Sequence, residues 1–168
     1  MINIRPMSAG DIEAVFAVQA EAYAQGFIES REVIGARLAA APQTAWVAEA
    51  DGRVGAYLVA YPSVRGRLSA LGARFYPSTE ADSLYIHDLA VQQRLAGQGV
   101  GPALVRHAWA QAVQLGLTHS SLMSVQSSVA FWKRLGYCSQ APGEGDQDAL
   151  RTYPGPAYYM LARLVVAP

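Results

Sequence analysis

The residues best suited to chemistry lie past the middle of the chain. In Ala96-Gly97-Gln98-Gly99-Val100-Gly101-Pro102, three glycines alternate with other residues. With no Cβ atoms in the way, the backbone N–H groups of such a turn can converge on an anion. Pro102 suits the first position of a helix, where its missing N–H costs nothing, and Gly101 suits the cap before it. The free donors and the helix dipole then point back at the turn, so a phosphate or pyrophosphate is the ligand this arrangement favours. The two commonest nucleotide turns do not fit: a dinucleotide turn needs Gly-x-Gly-x-x-Gly early in a strand-helix repeat, and a P-loop ends in Gly-Lys-Ser or Gly-Lys-Thr.

Just upstream, Leu84 to Val91 reads as a strand, and alternation along it places Tyr85 and His87 on one face and Asp88 on the other. Imidazole is the side chain whose ordinary pKa suits proton transfer near neutral pH. Cys138 is the single cysteine and carries no nucleophile signature. His87, His107 and His119 lack the paired spacing of a metal site, so no metal is expected.

These residues need elements to position them. Ile2 to Arg5 alternates as a strand does, and Ser8 can cap a helix carrying Ile12, Val15, Phe16, Gln19 and Tyr23. Ser30 can cap a second helix through Val33, Ile34 and Leu38, which Pro42 ends. Thr44 to Ala50 and Arg53 to Tyr61 form strands on either side of Asp51-Gly52, a strong hairpin signal. The stretch from Pro62 to Ser83 reads as a long loop with one turn of helix, and carries Arg65, Arg67 and Arg74. After the helix opened by Pro102 come a strand (Thr118 to Ser124), a short helix (Ser127 to Leu135) closed by Gly136, a loop (Gln140 to Gly155) and a last strand (Ala157 to Val166).

With 168 residues, 52% of them hydrophobic, the chain suits one domain spanning 1–168. Thirteen basic residues balance thirteen acidic ones, so no overall field exists to hold nucleic acid or an acidic membrane. The start shows no leader, no run is long and apolar enough to span a bilayer, and a cytoplasmic location is expected.

The run Ile86-His87-Asp88-Leu89-Ala90-Val91, then Gly97-Gln98-Gly99-Val100-Gly101, resembles the acetyl-CoA signature of the GCN5-related N-acetyltransferases (GNAT). Ala130-Phe131-Trp132-Lys133-Arg134-Leu135-Gly136-Tyr137 is similar to that family's late aromatic element. The element order, strand, two helices, hairpin, strand, helix, strand, helix, strand, is also the family's. The resemblance implies an α/β (α+β) fold with a central, mixed but mostly antiparallel twisted sheet of about seven strands and flanking helices. It implies acetyl-CoA as co-substrate, with pantetheine along Leu89, Ala90 and Val91, and pyrophosphate at Gly97, Gln98, Gly99, Val100 and Gly101. Phe131 and Trp132 would pack beside it, and the Leu89 N–H would polarise the thioester carbonyl.

The implied activity is transfer of an acetyl group to a primary amine, on a small molecule or a peptide, by direct attack in a ternary complex. A non-catalytic acyl-CoA-binding or sensor domain, or a transferase using another acyl group or acceptor, remain as alternatives. Attack needs a neutral amine, which makes His87 the candidate base, with Asp88 as a second and Tyr85 lining the amine pocket. Two positions depart from the family pattern: Ala96 replaces an Arg or Gln, and Trp132 stands where many members carry a tyrosine that protonates the thiolate. Indole has no useful acidity, so either another residue protonates the thiolate, with Tyr137, Tyr158 and Tyr159 as candidates, or the thiolate leaves with solvent help. The resemblance also admits a homodimer through the last strands.

Overall fold

The structure, a computed structural model, describes residues 1–165. Val166, the expected end of the last strand, lies outside the described residues. Strand β1 (Ile2–Pro6) runs through a capping box into α1 (Ile12–Ala22), with the Ser8 N–H and Oγ both 2.8 Å from Asp11 Oδ2. Helix α2 (Arg31–Ala40) begins at Ser30, whose Oγ accepts the Val33 N–H at 3.2 Å. Strands β2 (Ala45–Ala50) and β3 (Arg53–Ser63) make the expected hairpin, with Asp51 and Gly52 at φ of 53° and 72° as a primed turn demands.

Strand β4 (Ser83–Val91) is followed by α3 (Val100–Gln114), β5 (His119–Ser124) and α4 (Val129–Arg134). Strand β6 (Cys138–Ser139), α5 (Gln147–Leu150) and β7 (Tyr158–Arg163) complete the order. The seven strands form an open sheet in the order β1-β2-β3-β4-β5-β7-β6, antiparallel throughout except for β4 and β5. This is the mixed, mostly antiparallel architecture expected.

Three details differ. Strand β6 and helix α5 were not expected, since two residues pairing with Met160 and Leu161, and one helical turn, leave no periodic signal. Hydrogen-bonded turns at Val64 to Arg67 and Ala70 to Ala73 take the place of helix in the long loop after β3. Helix α3 starts at Val100, capped by Gly99 rather than Gly101, because Gly99 is the residue in the left-handed conformation, at φ 76°.

The sheet buries a core on each face. Leu104, Val105, Ala108 and Ala112 of α3 pack on Leu58, Leu84 and Leu122. On the other face Val15 and Val18 of α1 and Ile34 and Leu38 of α2 cover Val47, Tyr57 and Tyr85. The stripes at i, i+3 and i+4 that marked these helices are the faces they bury.

Candidate functional site

The parallel pairing of β4 with β5 runs from Ser83 with His119 to Ile86 with Leu122 and stops there. Beyond it the strands diverge, while β4 stays paired with β3 as far as Val91 with Ala56. The Gln92 N–H donates to Gly55 O at 2.8 Å, toward β3. Backbone groups alternate sides along a strand, so those of Val91 and Leu89 face the side that β5 has left. The Leu89 carbonyl oxygen accordingly lies 2.9 Å from Tyr23 Oη rather than bonding to a strand. A cleft of about 580 Å³ opens in this gap.

At one end of the cleft lies the glycine turn. Gly97 and Gly99 have φ of 74° and 76°, and a Cβ at either would meet nothing within 4 Å. Conformation thus demands glycine at both, and the space above them is open. The N–H groups of Gly97, Gly99, Val100 and Gly101 have no hydrogen-bond partner among the described residues. A pyrophosphate fits such a set of free donors at the start of a 15-residue helix. Gly101 serves packing as well: a Cβ there would press on the Phe131 ring at 3.4 Å.

The other end depends on a β-bulge. Val59 pairs with Asp88 and Ala60 with Ile86, so His87 is the extra residue. A bulge breaks the alternation of side chains, and Asp88 turns to the same face as Tyr85 and His87, not to the opposite face as strict alternation requires. There Tyr23 Oη donates to Asp88 Oδ1 at 2.5 Å and Tyr57 Oη donates to Asp88 Oδ2. Burial pushes the Asp88 carboxyl up and both phenols well up. His87 Nε2 lies 3.3 Å from Glu29 Oε1, and Nδ1 has no partner among the described residues.

Most of the sequence-derived candidates meet in this cleft. His87, Asp88, Leu89, Ala90 and Val91 line it, as do Gly97, Gly99, Val100, Gly101, Phe131 and Trp132. Trp132 is buried, edge-on to Phe131 and Tyr137. Gln98 and Tyr85 are not among the lining residues. The Gln98 amide side chain folds back onto Arg94 O at 2.9 Å, and Tyr85 is buried behind His87. Arg94 itself reaches the carbonyls of Arg53 and Val54 at 3.3 Å. Of the loop arginines, Arg65 pairs with Asp82 at 2.7 Å, and none of the three lines the cleft.

The acid candidates fall elsewhere. Tyr137 is buried between Trp109 Nε1 and Ser120 Oγ, and burial holds its phenol far above the usual range. The Tyr159 hydroxyl accepts from the Gly66 N–H at 2.8 Å, and Tyr158 is exposed. Ser128 is the N-cap of α4 by position, but its Oγ donates to Val125 O at 2.7 Å rather than capping.

Sequence reasoning missed Tyr23, Glu29, Gln126 and Tyr153, all of which line the cleft. Helix α1 ends at Ala22, and Tyr23, in extended conformation, turns its ring to β4. Gln126 sits at φ 51° just past β5 and accepts the Ala24 N–H at 2.9 Å, which ties β5 to the end of α1. Tyr153 donates to Ser69 O at 2.5 Å. One signal did exist for the group around Glu29: Gln19 and Arg37 occupy apolar-face positions of their helices, beside Val15 and Val18 and beside Ile34 and Leu38. Long polar residues on a buried stripe call for buried partners.

Solved structures share this architecture end to end. The Ard1 protein of Thermoplasma volcanium matches with a TM-score of 0.72 at 19% identity, over 98% of this chain and 99% of that one. The ribosomal-protein-S18-alanine N-acetyltransferase of Escherichia coli matches with 0.72 at 17%, over 100% and 97%. The loading GNATL domain of CurA from Lyngbya majuscula matches with 0.77 at 11%, over 98% of each. At such identities the likeness is one of fold. No curated protein sequence matches the chain. The sequence pattern of the Acetyltransferase (GNAT) family, however, matches residues 12–137, most of the chain and every element from α1 through α4, and the chain belongs to that family.

Proposed function

We propose that the protein transfers an acetyl group from acetyl-CoA to a primary amine by direct attack in a ternary complex. The observation that carries this reading is the continuity of one cleft, from the four free N–H groups of the glycine turn, along the unpaired edge of β4, to His87 and Asp88. In this reading the glycine turn receives the pyrophosphate, and the backbone of Leu89 and Val91 pairs with the pantetheine amides. Phe131 and Trp132 wall the cofactor, and the Leu89 N–H stabilises charge that develops on the carbonyl oxygen.

His87 takes one proton from the acceptor ammonium, which frees the lone pair that forms the new C–N bond as the C–S bond breaks. That proton passes to solvent. The second proton shed by the nitrogen neutralises the departing thiolate, so Trp132 need not act as an acid. Asp88, with each oxygen held by a tyrosine, fixes the bulge that presents His87. Side chains from distant loops frame the acceptor end, and these set the choice of amine.

The test is calorimetric titration with acetyl-CoA, followed by measurement of free thiol released with a panel of primary amines. Saturable binding and amine-dependent thiol release support the reading. Binding without release on any amine would leave an acyl-CoA-binding domain, and absence of binding would sink the proposal.

A further inference from the structure

Beside His87 lies a buried charge network assembled from distant segments. Glu29, between α1 and α2, accepts from both terminal nitrogens of the Arg37 guanidinium at 2.5 Å and from the Gly72 N–H at 2.7 Å. The Arg37 Nε reaches Ala73 O at 2.9 Å. Gln19 holds the backbone of Glu29 from both sides, accepting its N–H at 3.0 Å and donating to its carbonyl at 2.9 Å. The side chains of Glu29, Arg37 and His87 are only 7%, 3% and 2% exposed.

A buried ion pair is costly to desolvate, and an apolar pair of similar volume often stabilises a core as well. A clamp between α2 and the loop after β3 therefore explains Arg37 and Gly72 but not the third partner, which lies at the cleft. Burial works against ionisation of Glu29, yet hydrogen bonds from His87 and Arg37, together with the Arg37 charge, hold its pKa below the ordinary carboxylate range. At neutral pH the carboxylate only accepts, so the hydrogen between it and His87 belongs to Nε2. A neutral imidazole carries one N–H and one lone pair. The lone pair then falls on Nδ1, a ring atom that is buried and left without a partner among the described residues.

The geometry points to Glu29 as a positioning residue that holds the His87 ring as its Nε2–H tautomer, with the lone pair on the buried, unpartnered Nδ1, the atom that would take the proton the acceptor amine must lose. This rests on the acetyltransferase reading above. The other titratable groups around the ring are Asp88 and Tyr85 on β4, Tyr57 and Tyr61 on β3, Tyr23 after α1, and Tyr153 before β7. Burial raises all of them, so the phenols stay neutral at pH 7. The charges around the imidazole are thus the Glu29–Arg37 ion pair and the Asp88 carboxyl, which accepts from Tyr23 and Tyr57.

The tautomer can be read without any substrate. Long-range 1H–15N correlation on 15N-histidine-labelled protein at pH 7, with the His87 signals identified by their loss in His87→Gln, should show a protonated Nε2 and an unprotonated Nδ1. The paired replacement Glu29→Leu with Arg37→Met removes both charges together, which cores tolerate better than the loss of one. It should average the two tautomers and lower kcat on the order of a hundredfold, while the dissociation constant for acetyl-CoA holds. A wild-type ring protonated on Nδ1, or a tautomer unchanged by the paired replacement, would overturn the assignment. Failure of the acetyltransferase reading would show separately, as lack of acetyl-CoA binding with the tautomer intact.

Discussion

The two ends of the cleft are built from different materials. The glycine end is backbone: free N–H groups and an open strand edge, all within the contiguous residues 89–101. The imidazole end is side chain: Tyr23, Glu29, Arg37, His87 and Tyr153 come together from segments far apart in the chain, with Gly72 and Ala73 tied in by hydrogen bonds. A backbone site tolerates change of most side chains and fails where a Cβ cannot be accepted. A side-chain site fails wherever one member of a charge network is removed, and it takes local stability with it.

Loss of Arg37 tests that difference hardest. Arg37→Met alone leaves Glu29 buried without its cation, at a cost of about 3–5 kcal/mol. The melting temperature should fall on the order of 10 °C, while calorimetry on the folded protein finds unchanged acetyl-CoA affinity. A matching loss of cofactor binding would show that the two ends are one unit.

Acid should weaken the imidazole end first. The Glu29 pKa is lowered from its ordinary 4.5 to about 2, so its contribution is full above pH 4.5 and is lost as pH falls toward 2. Asp88, raised by burial, acts in the opposite sense and reduces the slope. Urea unfolding at pH 5 and pH 3 should show a net loss, and the Glu29→Leu, Arg37→Met protein should show a smaller one.

At the glycine end, Gly99→Val forces a β-branched residue to φ 76° and fills the open cradle. Acetyl-CoA affinity should drop about a hundredfold, close to 3 kcal/mol, with the histidine tautomer unaffected. Tyr23→Phe bridges the two ends, because its hydroxyl meets both Asp88 and the Leu89 carbonyl. Stability should fall by about 1–2 kcal/mol, and kcat should fall more than acetyl-CoA affinity; an equal effect on both would place Tyr23 with the glycine end.

What the sequence revealed follows the same division. Turn chemistry and strand or helix periods are local, so the hairpin at Asp51-Gly52, the strand before the glycine turn and the turn itself were legible. Gly99 took the cap expected of Gly101 because both are glycines with proline close behind, and only φ separates them. The bulge at His87 was illegible: no residue type demands it, and the pairing of Asp88 with Tyr23 and Tyr57 that accompanies it spans 65 and 31 positions. Glu29 looked like any loop carboxylate, and its burial depends on Arg37, Gln19 and a loop that closes from beyond β3.

Backbone amide resonances followed while coenzyme A is added report whether an acyl-CoA lies along the β4 edge with its pyrophosphate on the glycine turn. Saturable shifts are expected, concentrated at Gly97, Gly99, Val100 and Gly101 and continuing through Leu89 and Val91, with the amides of β1 and β2 unmoved. Shifts confined to other surfaces, or none at millimolar ligand, would contradict that placement.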